Sequence, residues 1–128
     1  MESSIIDLII RIQNGYLAGK EIITSPYSKF KEEVLKKLIT LGFVKSYEVE
    51  GEIIKSISIE LVYTEGRPAL MGVKLFSKPG KRIYTSYKNL KPVMSGIGYA
   101  IVSTPQGLKT NKEARKEKLG GELLFHIW

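Results

Sequence analysis

The residues best suited to chemistry lie close together near the end of the chain. Ser103, Thr104 and Gln106 set two hydroxyls and an amide around Pro105, with Gly107 next and Thr110, Arg115, Lys116 and Lys118 following. Such hydroxyls bond sugars, phosphates or base edges. Backbone N–H groups at a helix start favour phosphate. The same residues also suit a plain turn whose hydroxyls serve their own backbone, and on local chemistry alone that reading leads. Catalytic sets are scarce. His126 is the only His and falls in a closing strand, where a packed or surface role is commoner than catalysis. Gly96-Ile97-Gly98 opens like a dinucleotide loop, but Ile101 stands at the third glycine position and a strand follows. Glu48, Glu50 and Glu52 fall around a hairpin and read as a solvated face, and the spacing offers neither a P-loop nor a metal site.

The elements that must hold the hydroxyls follow from local pattern. Residues 99–102 form an apolar run of strand length. Pro105 and Gly107 break it. Thr110-Asn111-Lys112-Glu113 fits a capping box that starts a short basic helix. Gly120-Gly121 is expected to end that helix, and residues 122–128 to return as a strand. Further back, Arg82, Tyr84 and Tyr87 share a strand expected over 82–87. A regular pleat puts Arg82 and Tyr84 on one face and Tyr87 on the other. Aromatics on such a basic face suit unpaired bases of RNA; a half-buried Tyr84 beside a solvated Arg82 fits the sequence nearly as well. Another strand is expected over 70–77, and a connector over 90–94.

The first half reads as α-β-α-β-β. Ser3 or Ser4 caps a helix with Ile5, Leu8, Ile9, Ile12 and Tyr16 as its apolar stripe. A short strand over 21–24 closes at Pro26. Ser28 caps a second helix, whose stripe is Phe30, Val34, Leu38 and Leu41 and whose stop is Gly42. Lys29, Lys31, Lys36 and Lys37 read as its solvated face. Strands are expected over 43–50 and 53–63, with Ile57, Ile59 and Leu61 alternating against Ser58 and Glu60.

Composition narrows the partners. The chain has 128 residues, 43% hydrophobic and 26% charged, a globular balance without Cys. Disulfides, thiolate zinc and Cys nucleophiles are excluded, which fits a reducing compartment. No signal peptide is expected, and the most apolar stretch, residues 5–12, is too short to span a membrane. Residues 1–64 carry eight Lys or Arg and nine Asp or Glu, a net of −1. Residues 65–128 carry twelve and four, a net of +8. One half therefore faces a polyanion. Its cations are interleaved with strands and turns, which favours nucleic acid over a membrane surface. The sign changes across Thr64-Glu65-Gly66-Arg67-Pro68, the expected boundary between lobes 1–64 and 65–128. That stretch is short, so packed lobes are expected.

An ordered set of motifs covers essentially the whole chain. It comprises Ser103-Thr104-x-x-Gly107, Thr110-x-x-Glu113-Ala114-Arg115 and Gly120-Gly121-Glu122. Upstream stand Pro79-Gly80-Lys81-Arg82-Ile83-Tyr84, the run Leu90-Lys91-Pro92-Val93-Met94-Ser95-Gly96-Ile97-Gly98, and Asp7, Arg11, Asn14 and Gly15. In this order they resemble the family of small-subunit ribosomal protein eight. The resemblance extends the first helix through Asn14-Gly15 to about Gly19. It implies a cytoplasmic, ribosomal, non-enzymatic protein with no cofactor, metal, membrane or small-molecule substrate. Its implied partners are small-subunit ribosomal RNA, bound at an irregular helix of the central domain, and neighbouring small-subunit proteins of the platform. The implied contact residues are Ser103, Thr104, Pro105, Gly107, Thr110, Gly121 and Glu122, with Arg82 and Tyr84 secondary. The family loop usually reads Ser-Thr-Ser-Lys-Gly; here Pro105 and Gln106 replace a Ser and a Lys, so position 105 offers no side-chain hydrogen bond. The expected fold is α+β, the second lobe mostly antiparallel β with a short helix. The rival readings are a non-ribosomal RNA-binding or protein-interaction module and a small enzyme for acidic substrates.

Overall fold

The computed structural model describes residues 3–128, with side chains from residue 5 onward, as an α+β protein of helices and mostly antiparallel strands. Two compact units emerge, Ser4–Leu70 and one built from Met71–Trp128.

In the first unit, α1 (Ser3–Leu17) buries Ile5, Leu8, Ile9, Ile12 and Tyr16, the stripe that the spacing predicts. The cap expected at Ser3 or Ser4 lies outside the described side chains. α1 runs straight through Gly15. A methyl there would stand 2.6 Å from Ile23 Cγ2 and 3.1 Å from Leu61 Cδ1, so the glycine lets helix and sheet approach. β1 (Ile22–Pro26), β2 (Ser46–Glu50) and β3 (Ser56–Glu60) form an antiparallel sheet in the order β1-β3-β2. Ile57, Ile59 and Leu61 are buried, as the alternation predicts.

α2 (Lys29–Leu41) is capped by the Ser28 side chain, which accepts from the Lys31 N–H. Gly42, at φ 88°, ends it; its N–H reaches Ile39 O and that of Phe43 reaches Leu38 O, a Schellman closure. That closure takes Phe43 and Val44 out of the expected strand and buries them, so β2 starts at Ser46. Lys31 corrects the solvated-face expectation. It is 4% exposed, and Nζ donates to Ser25 Oγ at 2.8 Å and Pro26 O at 3.1 Å, with Asp7 Oδ2 3.5 Å away. A signal existed: positions 31, 34, 35 and 38 share the buried face.

The expected boundary stretch is itself a hairpin. β4 (Tyr63–Thr64) pairs β5 (Arg67–Pro68) around Glu65 and Gly66, at φ 54° and 76°. Two positive φ values suit the primed turn of a tight hairpin.

In the second unit β6 (Val73–Leu75), β10 (Gly121–Ile127), β8 (Tyr99–Thr104) and β9 (Gly107–Thr110) lie side by side in that order, and β7 (Tyr84–Thr85) also pairs β10. α3 (Asn111–Glu117) buries Ala114 in a cluster with Val102 and Leu90, against which Leu123 packs. The strands expected over 70–77 and 82–87 are much shorter. Ser77, fully buried, replaces strand pairing there: its hydroxyl donates to Leu123 O at 2.7 Å and accepts from the Ile83 N–H at 3.0 Å. Tyr87 leaves the strand for a 3-10 turn over Tyr87–Asn89.

Candidate nucleic-acid interface

The stretch read as a loop between strand and helix is a hairpin. β8 continues through Ser103 and Thr104, Pro105 and Gln106 make the turn, and β9 returns from Gly107. Pro at the second position and Gly at the fourth are the choices a type I turn favours. Gly107 is exposed at φ 110°, where a side chain is strained. β9 escapes sequence reading because Gly-Leu-Lys-Thr is short and runs directly into a capping box.

Two of the expected hydroxyls turn inward. The Thr104 hydroxyl donates to Gly107 O at 2.7 Å and accepts from the Gln106 N–H at 3.2 Å, closing the turn. Thr104 is 8% exposed, so the hydroxyl is not held out toward a ligand. Thr110 caps α3: its hydroxyl accepts from the Glu113 N–H at 3.2 Å, and Glu113 Oε1 accepts from the Thr110 N–H at 3.0 Å. The capping box is as expected, but it fills the helix start with the chain's own groups, carboxylate included. Phosphate binding at this helix start is therefore not favoured.

The helix stop is a correction. Lys118, at φ 57° and ψ 44°, ends α3, with the Leu119 N–H on Ala114 O at 2.8 Å. Gly120 and Gly121 serve packing instead. A methyl on Gly120 would stand 2.7 Å from Thr85 O, and one on Gly121 would overlap Ser103 O and lie 3.1 Å from Thr104 Cα. Bare backbone at 121 is what lets β10 lie against the end of β8.

Cross-strand register then assembles residues that the sequence scatters. Leu108 stands opposite Ser103, Ser103 opposite Glu122, and Glu122 opposite Tyr84. Directly opposed residues share a face, so these four form one row. Val102 and Leu123 fall on the other face, where Ala114 of α3 packs. Arg82 joins the row although it lies off the strand, with Nη1 3.9 Å from Glu122 Oε1. Ser103 is half-buried, Glu122 is 8% exposed and Tyr84 is 69% exposed. The structure thus brings Ser103, Glu122, Tyr84 and Arg82 together beside the Pro105 turn.

Three cations on β9 and α3 are engaged elsewhere. Arg115 donates from Nη1 to Leu90 O at 2.7 Å, and Lys109 pairs with Glu117 at 3.3 Å. Lys112 lies over the Tyr99 ring at 5.1 Å. Pro92, Asn111, Lys112 and Arg115 line an open cleft of about 420 Å³. Asn111 was not anticipated. It is buried, accepts from the Ala100 N–H at 3.2 Å and donates to Lys91 O at 3.1 Å, tying β8 to the connector. His126 stacks at a tilt on Phe76, with centroids 4.5 Å apart. Burial, then Lys74, lowers its pKa, so the ring is neutral near pH 7. The basic excess belongs to this unit: Met71–Trp128 holds eleven Lys or Arg against three Glu, a net of +8.

An α+β chain whose mostly antiparallel second unit carries the basic excess is the class that the fold defines. Sequence comparison specifies it. The family model of ribosomal protein S8 matches residues 3–128. Similar relatives include small ribosomal subunit protein uS8 of Wigglesworthia glossinidia brevipalpis, 42% identical over 99% of this chain and 98% of the relative. That of Ectopseudomonas mendocina (strain ymp) is 42% identical over 100% and 98%. That of Acholeplasma laidlawii (strain PG-8A) is 39% identical over the same shares. The chain belongs to the ribosomal protein S8 family, and with it to the structural, non-enzymatic proteins of the small ribosomal subunit in the cytoplasm.

Proposed function

We propose that the Met71–Trp128 unit binds small-subunit ribosomal RNA directly, in its central domain, and that this binding helps assemble the platform with neighbouring proteins. The observation that carries the reading is the row of Ser103, Glu122 and Tyr84, with Arg82 beside it, next to the turn of Pro105 and Gly107 in a unit of net charge +8. Ser103 supplies a hydroxyl to sugar or phosphate. Tyr84 offers an open ring to an unpaired base, as irregular RNA presents. Glu122 steadies Arg82. Gly107, open on its bare side, admits RNA to the backbone, and Gly121 acts by seating β10 against the end of β8. Thr104 and Thr110 act through the shapes they hold, and Pro105 through its ring.

The test is affinity for a central-domain RNA fragment as a function of salt. Log affinity is expected to fall linearly with log salt, with a slope of about −0.7 to −0.9 per phosphate neutralised. Tyr84→Ala is expected to weaken binding by about 1–3 kcal/mol, the range for one base on an aromatic ring. A flat salt line together with an unaffected Tyr84 variant overturns the reading.

A further inference from the structure

The connection between β2 and β3 carries a surface that the RNA reading leaves unused. At its tip Ile53 is 97% exposed and Ile54 is 89% exposed. The tip is a built turn. Gly51 sits at φ 96°, and a side chain there would overlap Ile54 O. At its far end Lys55 O accepts from the Tyr27 N–H at 3.2 Å. The turn therefore holds both isoleucines out in water, where burial against a partner would be favourable.

Beside the tip runs an open strand edge. The sheet order β1-β3-β2 leaves one side of β2 without a strand neighbour among the described residues. The opposite edge is shielded, since Arg11 Nη1 donates to Thr24 O of β1 at 3.2 Å. Glu48 and Glu50 lie exposed on β2, and Glu52 on the turn. Among the described residues none of these three carboxylates has an ion-pair partner. Charges on an edge ordinarily guard against unwanted pairing. That accounts for the glutamates but not for two bare isoleucines at the end of the same edge.

The charges select the occupant. Carboxylates repel phosphate, which removes RNA and anionic lipid. A second copy pairing edge to edge would set glutamate against glutamate, which is unfavourable. What remains is a polypeptide in which Lys or Arg alternates with apolar residues. Such a segment can add as a strand to β2, meet the carboxylates with its cations and cover the isoleucines. We infer that the β2 edge and the Ile53–Ile54 tip dock an extended, cationic, partly apolar segment of a neighbouring protein. This rests on the ribosomal reading, because assembly in the subunit supplies such neighbours.

Two measurements test it. First, an acetylated peptide of alternating Lys and Val is titrated against the full chain, with alternating Glu and Val as control. The Lys peptide is expected to bind saturably and the Glu peptide not at all. Ile53→Asp with Ile54→Asp, or Glu48→Lys with Glu50→Lys, should weaken it at least about tenfold, a loss typical of interface anchors. Affinity for the RNA fragment should change less than about twofold, so failure here is separable from failure of the RNA reading. Second, a photoreactive benzophenone side chain at position 53 is carried into assembled small subunits. Cross-links to a Lys- or Arg-rich segment of one protein support the proposal. Cross-links to RNA, an absence of cross-links, or equal peptide binding by all variants overturns it.

Discussion

In the Ser4–Leu70 unit charged side chains carry part of the polar bonding that holds the fold, beside the Tyr16 and Ser28 hydroxyls. Lys31 is sunk against Ser25, Pro26 and Asp7, and Glu32 accepts from two phenols, Tyr47 at 2.7 Å and Tyr27 at 3.0 Å. In the Met71–Trp128 unit that work falls largely to neutral groups: Ser77, Thr104, Thr110 and Asn111 bond the backbone around them. The first unit engages Lys31 and Glu32 internally, and its nine Lys or Arg balance nine Asp or Glu. The second uses hydroxyls and an amide inside, and several of its cations stay at the surface. A buried charge needs a strong partner, whereas a hydroxyl is satisfied by one or two backbone groups. Neutral internal bonding thus keeps cations available to a polyanion.

The largest effect expected of this contrast comes from one close-approach glycine in each unit. Gly121→Ala forces a methyl into backbone of β8, which side-chain motion cannot relieve, and should cost about 3 kcal/mol, the upper range for overpacking. Gly15→Ala meets a movable Ile23 methyl and gains about 1 kcal/mol of helix propensity, so its net loss should be small. Thermal melts of both variants check this. Equal losses would mean that β10 tolerates a side chain where the sheet denies it.

A middle-sized effect separates fold from binding. Lys31→Met strips a partner from buried Ser25 and should cost roughly 1–3 kcal/mol, with RNA affinity unchanged. Thr104→Val opens the Pro105 turn and should cost about 0.5–1.5 kcal/mol for each net hydrogen bond lost, with weaker RNA binding as well. Chemical denaturation and RNA titration on both variants decide the matter. If Thr104→Val melts lower but binds RNA as the parent does, the shape of the turn is not what RNA reads.

The smallest effect lies at the pH extremes and is confined to the first unit. The hydrogen bond to Glu32 pushes the Tyr47 hydroxyl up to about 12. A raised Tyr pKa stabilises below the unfolded value of about 10 and loses that contribution as pH rises toward 12. The phenols of Tyr47 and Tyr27 lower the Glu32 pKa, so its contribution is present above the ordinary glutamate range and fades as pH falls through it. Tyr47→Phe should flatten the alkaline limb of melting temperature against pH. An unchanged limb would show that the pair contributes nothing measurable.

Much of this was legible in the chain. Period marked α1, period and caps marked α2, and alternation marked Ile57, Ile59 and Leu61, because those signals are local and repeat. The ordered motifs carried the family. Charge distribution found the basic half, since charge adds up without any knowledge of shape. Other features needed the fold. Lys31 looks like any surface lysine until Ser25 and Pro26 close over it. Gly120-Gly121 reads as a helix stop until Thr85 and Ser103 are seen against it, after which Lys118 proves to end the helix. Ser103, Glu122 and Tyr84 come from three stretches, and only strand register puts them in one row. Sequence pattern determines which face of an element is apolar and where it can begin. Which backbone lies within ångströms of a glycine, and which side chains stand opposite one another, depend on pairings between distant segments, and those are decided by tertiary structure alone.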